Sequence, residues 1–243
     1  MNLFRSLRER FGRVIWVVIG SVALLGCGLL FALVLAPQQK LEARRIERMP
    51  VMDANIVVNT AAGEDVLVTG WLNAEPLPGV GDFIAYKLEQ WEVTPPDPDE
   101  PGDEPSGSWK EVERVVPDLE LDADGQIVWI LAAEGVYLNG KLHEEIVGSG
   151  SYDSADYMGQ NLSEGSSRYR GFYSGDLATV WGKKASAGGV IPDELFAGDR
   201  LTFIESKHDA AKGLLIAGIS MLVCSPVVLI GGILSAIFGR RRR

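Results

Sequence analysis

The sequence predicts a mainly β domain, a small barrel or sandwich, set between two transmembrane α-helices. Three observations carry this. The run Val14 to Ala36 contains no charged residue, and neither does Gly213 to Gly239. Between them, short runs of Val, Ile, Leu and aromatic residues alternate with Gly, Asn and Asp, the texture of successive strands and turns.

A helix rises about 1.5 Å per residue, so about 20 apolar residues cross a bilayer core of about 30 Å, and both runs are longer than that. The chain then divides into an N-terminal tail (1–13), a first span (14–36), a juxtamembrane segment (37–50) and a β-rich domain (51–205). A second juxtamembrane segment (206–212), a second span (213–239) and a basic tail (240–243) follow. The first run also has features of a signal peptide, with Arg5, Arg8, Arg10 and Arg13 before it and Leu24-Leu25-Gly26-Cys27 within it, a loose match to a lipid-modification site. The apolar stretch continues past Cys27 to Ala36, beyond a secretory core, so an uncleaved anchor is the preferred reading.

Lys and Arg near short tails favour the cytoplasmic side. Four arginines precede the first span and Arg240 to Arg243 follow the second, so both termini are expected in the cytoplasm of a cell-membrane, multi-pass protein, with residues 37–212 outside. Lys40, Arg44, Arg45 and Arg48 blur that signal. Residues 36–212 hold 15 Lys and Arg against 32 Asp and Glu, a net of about −17. A surface so negative disfavours nucleic acid. The expected partners are the lipid bilayer and either a protein partner or a second copy of the chain. Cys27 and Cys224 are the only cysteines and both lie in the spans, leaving the domain without a disulfide or thiolate metal site.

After Pro37, Gln38 to Arg48 reads as a short juxtamembrane helix. The strand candidates are Ile56-Val57-Val58, Asp65 to Leu72, Phe83 to Val93, Trp109 to Val116, Ile127 to Ala132, Leu142 to Val147, Arg168 to Tyr173, Leu177 to Lys183 and Asp199 to Glu205. Leu119 to Ile127 reads as a hairpin turning at Asp124-Gly125. Asp193 to Phe196 reads as a helical turn, and Ser206 to Lys212 as the start of the second membrane helix. Thr94 to Ser108, with five prolines and Asp97, Asp99, Glu100, Asp103 and Glu104, has no residues to bury and reads as a mobile acidic loop. Its acidic residues are the candidate contacts for a basic partner. Gly148 to Ser167 reads as a second soft region.

No catalytic, cofactor or metal site is expected. Glu120-x-Asp122-x-Asp124-Gly125 has the start of a calcium loop, but its twelfth position is Leu131, and a plain hairpin is preferred. His143 and His208 stand beside carboxylates that alternation turns to opposite strand faces, so exposed polar roles are preferred. Trp71, Trp91, Trp109, Trp129 and Trp181 offer either a stacking face for a sugar or core packing, with the core preferred. In the spans, small residues recur every fourth position: Gly28, Ala32 and Ala36, then Ser220 and Cys224, then Gly232 and Ala236. Such spacing lets helices approach closely, within the chain or between copies. Pro226 is expected to kink the second helix.

Further motifs are Gly63-Glu64-Asp65-Val66-Leu67-Val68-Thr69-Gly70, Phe83-Ile84-Ala85-Tyr86, Pro117-Asp118-Leu119-Glu120-Leu121 and Gly175-Asp176-Leu177-Ala178-Thr179-Val180-Trp181-Gly182. With the order span, β domain, span, they resemble the membrane-side domain of the GIDE family, found in mitochondrial E3 ubiquitin ligases and in prokaryotic proteins of undefined role. That resemblance implies an anchored β domain. It does not carry ligase activity here, because no Cys follows Cys224 to build a zinc-binding RING. A weaker resemblance is to LUMA-type transmembrane proteins, which also place a large domain between spans. The leading expectation is a non-enzymatic interaction or scaffold module. The alternatives are an extracytoplasmic, membrane-proximal hydrolase with an unrecognised site, or a subunit of an oligomeric membrane complex.

Overall fold

The computed structural model describes residues 3–98, 102 and 104–238, with side chains described only within 14–235. The chain forms two compact units: a helical unit from the two ends of the sequence and a β unit of Met49–Phe203.

The helical unit is built from α1 (Leu3–Leu30), a wide turn at Phe31–Leu35, α2 (Ala36–Glu47) and the long α4 (Arg200–Phe238), of which Ile204 onward belongs to this unit. The juxtamembrane helix expected after Pro37 is present as α2, but α1 runs into it without a break. Proline lacks an N–H and its ring collides with the carbonyl four residues back. In the wide turn the Ala36 N–H reaches the Phe31 carbonyl, five residues back, and the helix passes Pro37. The buried and half-buried positions run on through this turn: Val14, Val17, Ser21, Leu24 and Gly28, then Phe31, Ala32 and Leu35, then Ala36, Gln39, Glu42, Ala43 and Ile46. Spacings of three and four keep this face inward on both sides of the turn. Two helices are thus long and apolar enough to cross a membrane.

In the β unit, α3 (Ala54–Asn59) precedes twelve strands: β1 (Asp65–Asn73), β2 (Phe83–Thr94), β3 (Ser106–Val115), β4 (Leu119–Ala123), β5 (Gln126–Ile130), β6 (Tyr137–Gly140), β7 (His143–Val147), β8 (Ser154–Tyr157), β9 (Gln160–Ser163), β10 (Ser167–Tyr173), β11 (Leu177–Lys184) and β12 (Val190–Ala197). The first sheet runs β11-β1-β4-β5-β12-β6, and β11 also pairs with β12, which closes five strands into a barrel. Its junctions are antiparallel except β5–β12, where Val190 pairs in parallel with Ile130. This is the strand order of an OB-type barrel, partly open at the parallel junction. The other edge of β12 is shared, with β6 taking Glu194 to Ala197.

Alternation decides which side chains fill the barrel. Val66, Val68 and Leu72 from β1 meet Leu119, Leu121 and Ala123, Val128 and Ile130, Ala178 and Val180, and Leu195. At Gly70 a Cβ would stand 2.3 Å from the Asp122 carbonyl oxygen, so only glycine admits this strand approach. The β4–β5 turn puts Asp124 at φ 56 and Gly125 at φ 82, the two left-handed positions of a two-residue hairpin, as the sequence predicts. The second sheet, β3-β2-β10-β7, contributes Ile84, Ala85 and Phe172 to the same core.

Four segments depart from expectation. Ile56 to Val58 is helical: the Asp53 carboxylate accepts from the Ile56 N–H at 2.8 Å and caps α3, whose Ala54 and Val57 enter the barrel core. Asp199 to Glu205 is also helical. Asp199 accepts from the Thr202 N–H at 2.8 Å and starts α4 in the same way. Asp193 to Phe196 is strand β12. The soft region Gly148 to Ser167 contains the hairpin β8–β9, anchored by Ala155 and Leu162.

The Thr202 amide holds the Asp199 carboxyl below the usual carboxylate range. Its capping contribution is therefore complete above about pH 4, the unfolded value, and is lost as pH falls through the lower folded value. Asp199→Ala is expected to cost about 1 kcal/mol at pH 7. Asp199→Asn should keep the cap and abolish the acid-side loss, read by denaturant unfolding of the full chain in mild detergent between pH 7 and pH 3.

Candidate functional site

The acidic loop expected to meet a partner connects β2 to β3, whose ends are in register at Thr94 and Ser106. Asp97 and Glu104 are exposed; Asp99, Glu100 and Asp103 lie outside the described residues. The base of this hairpin is fixed by an aromatic cluster. Trp91 and Trp109 face each other across the strands with rings 5.0 Å apart, and Tyr157 of β8 stands edge-on to both. Arg168 lies 4.4 Å over the Trp109 ring and gives its guanidinium to Glu89 at 2.8 and 2.6 Å and to the Tyr157 hydroxyl at 2.7 Å. Arg168 and Glu89 are both buried, so this pair survives desolvation through close geometry and additional hydrogen bonds.

The five tryptophans therefore divide. Trp91 and Trp109 are packed in this second cluster, as the core reading expects, and Trp181 is half-buried. Trp71 and Trp129 depart from that reading, at 56% and 51% exposed on the outer face of the barrel.

The carboxylates of the calcium-like stretch serve local structure. Asp122 accepts from the Gly125 N–H at 2.8 Å inside the hairpin turn, and Glu120 accepts from the Asn73 side chain at 3.2 Å. Each histidine has a carboxylate partner that neighbouring sequence positions did not reveal. His143 meets Asp176 at 3.0 Å and stacks on Tyr173 at 4.0 Å. His208 meets Glu47 at 3.2 Å. Among the described residues no group of three His, Cys, Asp or Glu converges to hold a metal.

The arrangement with the most definite geometry is the contact between α1 and α4. Along α4, Ile204, Ala211, Gly218 and Ser225 are buried and Gly232 is half-buried, one every seven residues. A period of 3.5 keeps one seam of a helix facing its neighbour along its whole length. A Cβ on Gly28 would stand 3.0 Å from the Gly218 carbonyl oxygen, and one on Gly218 would stand 2.7 Å from the Ala32 nitrogen. The Ser225 hydroxyl donates to the Ser21 carbonyl at 2.8 Å, and a Cβ on Gly232 would meet Val17 at 2.4 Å. Pro226 follows Ser225 and α4 continues past it.

Gly28, Ala32 and Gly232 lie at this contact, and Ala36 is buried. Ser220 and Cys224 are exposed and lie outside this seam, which repeats every seven residues through Gly218 and Ser225. The side chain of Ala236 lies outside the described residues. The outward surface of the pair is apolar, with Ile15, Trp16, Ile19 and Val22 on α1 and Ile216, Val223, Val227 and Ile230 on α4 exposed. Where the apolar stretches end, Glu42–Lys207 at 3.8 Å joins the His208–Glu47 contact across α2 and α4. Beside it lies a groove of about 300 Å³ lined by Ala32, Ala36, Leu215, Lys40, His208 and Lys212, among others.

No family model, no curated protein and no solved structure matches this chain.

Gly218→Leu is expected to push α1 from α4 and cost about 1–3 kcal/mol, as overpacking does. Ser220→Leu, two residues away on the exposed side, should change stability by less than about 0.5 kcal/mol. Thermal unfolding of the detergent-solubilised chain compares the two directly.

Proposed function

We propose that this chain is a membrane-anchored, non-enzymatic interaction module whose acidic β domain is held at the bilayer by a hairpin of two spans. One observation carries the reading: the paired helices are apolar on the outside and small or polar at their seam. A water-soluble helical pair has the opposite arrangement. In lipid, the outer side chains are solvated by acyl chains, and the seam supplies the close packing and hydrogen bonding on which helix association depends.

The arginines flanking the spans favour both termini in the cytoplasm and residues 37–212 outside. The GIDE-type resemblance supports the same order of span, β domain and span. Within the module, the β2–β3 loop is the proposed contact for a basic protein partner, because its prolines and carboxylates give it exposure and charge without a core of its own.

Three experiments test this. After alkaline carbonate washing, the full chain should remain with the membranes, and release into the supernatant would refute anchoring. On intact cells, a membrane-impermeant amine reagent should label the exposed Lys110, Lys141 and Lys183; labelling only after lysis would reverse the orientation. Replacing residues 95–105 by a short Gly-Ser turn should reduce at least fivefold the protein captured by a membrane-impermeant amine crosslinker on intact cells. Unchanged capture would move the contact elsewhere on the domain.

A further inference from the structure

Resting on the membrane-anchored reading, we infer that the groove between the α1–α2 helix and α4 is a binding site for one anionic phospholipid. The groove has two chemically distinct ends. Ala32, Ala36 and Leu215 line one, and the small alanine side chains leave the space an acyl chain fills. Lys40 and Lys212 with His208 line the other. The order along the helices matches a lipid, because the apolar end lies toward the spans and the basic end lies where the spans stop. Lys40 falls four residues after Ala36, and Lys212 immediately precedes Gly213.

The charges around the groove favour an anion. Lys40 is exposed and makes no ion pair among the described residues. Lys212 meets Asp209 at 2.8 Å and His208 meets Glu47 at 3.2 Å, but neither carboxylate lines the groove. The groove therefore presents the Lys40 ammonium, with Lys212 and His208 beside it held by carboxylates outside the groove, over an apolar floor. Basic clusters at the membrane-proximal ends of spans attract anionic head groups by about 1 kcal/mol for each Lys, roughly fivefold in occupancy. A soluble anion would use only the basic end; an acyl chain uses both.

The test reconstitutes the full chain in vesicles of equal phosphatidylcholine and phosphatidylglycerol. The chain is then extracted in mild detergent, and co-purifying lipid is read by native mass spectrometry. Phosphatidylglycerol is expected to be enriched on the wild-type chain. The enrichment should fall about fivefold in Lys40→Ala and again in Lys40→Ala/Lys212→Ala. The Lys40→Arg/Lys212→Arg chain should keep it, as should Lys110→Ala/Lys183→Ala on the β domain. Equal retention of both lipids by the wild type, or enrichment that survives loss of both groove lysines, overturns the inference. Failure of the wild-type chain to stay with the vesicles after alkaline carbonate instead overturns the anchoring reading.

Discussion

Gly28 and Gly218 bring the backbones of two apolar helices into contact, and the rest of the anchor follows from that approach. With the backbones so close, Ala32 packs on Gly218, Ser225 reaches the Ser21 carbonyl, and Val17 fills the space left by Gly232. No hydrophobic driving force acts between helices in lipid, where an acyl chain solvates an apolar side chain as well as Leu does. Association there depends on close contact and on hydrogen bonds such as that of Ser225. Larger residues at the seam would hold the helices apart and remove both. The wide turn at Phe31–Leu35 carries the helix past Pro37 while the inward face continues from Gly28 through Ala32 and Ala36 to Ala43 and Ile46.

The β domain pairs several of its charged groups internally. Its buried Arg168–Glu89 pair is stacked on Trp109 and tied to Tyr157, which joins the β8–β9 hairpin to the second sheet. Its acidic side chains cap helices at Asp53 and Asp199, close a hairpin at Asp122, or pair with histidine at Asp176. These carboxylates are engaged in structure, whereas Glu75, Asp82 and Glu134 are exposed elsewhere on the domain.

The parts legible from sequence are those where pattern and local chemistry agree. Strands β1, β2, β10 and β11 carry alternating apolar residues between turn residues, and Asp124-Gly125 fixes its hairpin unaided. Misreadings arose where a single side chain overrode composition. Ile56-Val57-Val58 has strand composition, yet the Asp53 cap and the barrel core waiting for Ala54 and Val57 make it a helix. Asp199 does the same for Leu201 to Glu205. Asp193 to Phe196 has helix-forming residues, but pairing with β11 on one side and β6 on the other makes it a strand. The β8–β9 hairpin was invisible because only Ala155 and Leu162 mark its buried face. In the spans, small residues were visible but their partners were not: the four-residue spacing drew attention to Ser220 and Cys224, and the seam runs through Gly218 and Ser225. Trp71 and Trp129 sit in strands like Trp91 does, and only the pairing of sheets determines which side of the barrel each occupies.

The seam itself is open to direct measurement in native membranes. In a Cys27→Ser/Cys224→Ser background, Ser21→Cys and Ser225→Cys are introduced together, the membranes are mildly oxidised, and the domain is nicked by protease. If α1 and α4 of one chain meet as described, the two terminal fragments remain joined until reductant is added, and the exposed pair Val22→Cys/Val223→Cys does not join them. Disulfides found only between separate chains, or none at Ser21 and Ser225, would contradict the packing on which the whole anchor rests.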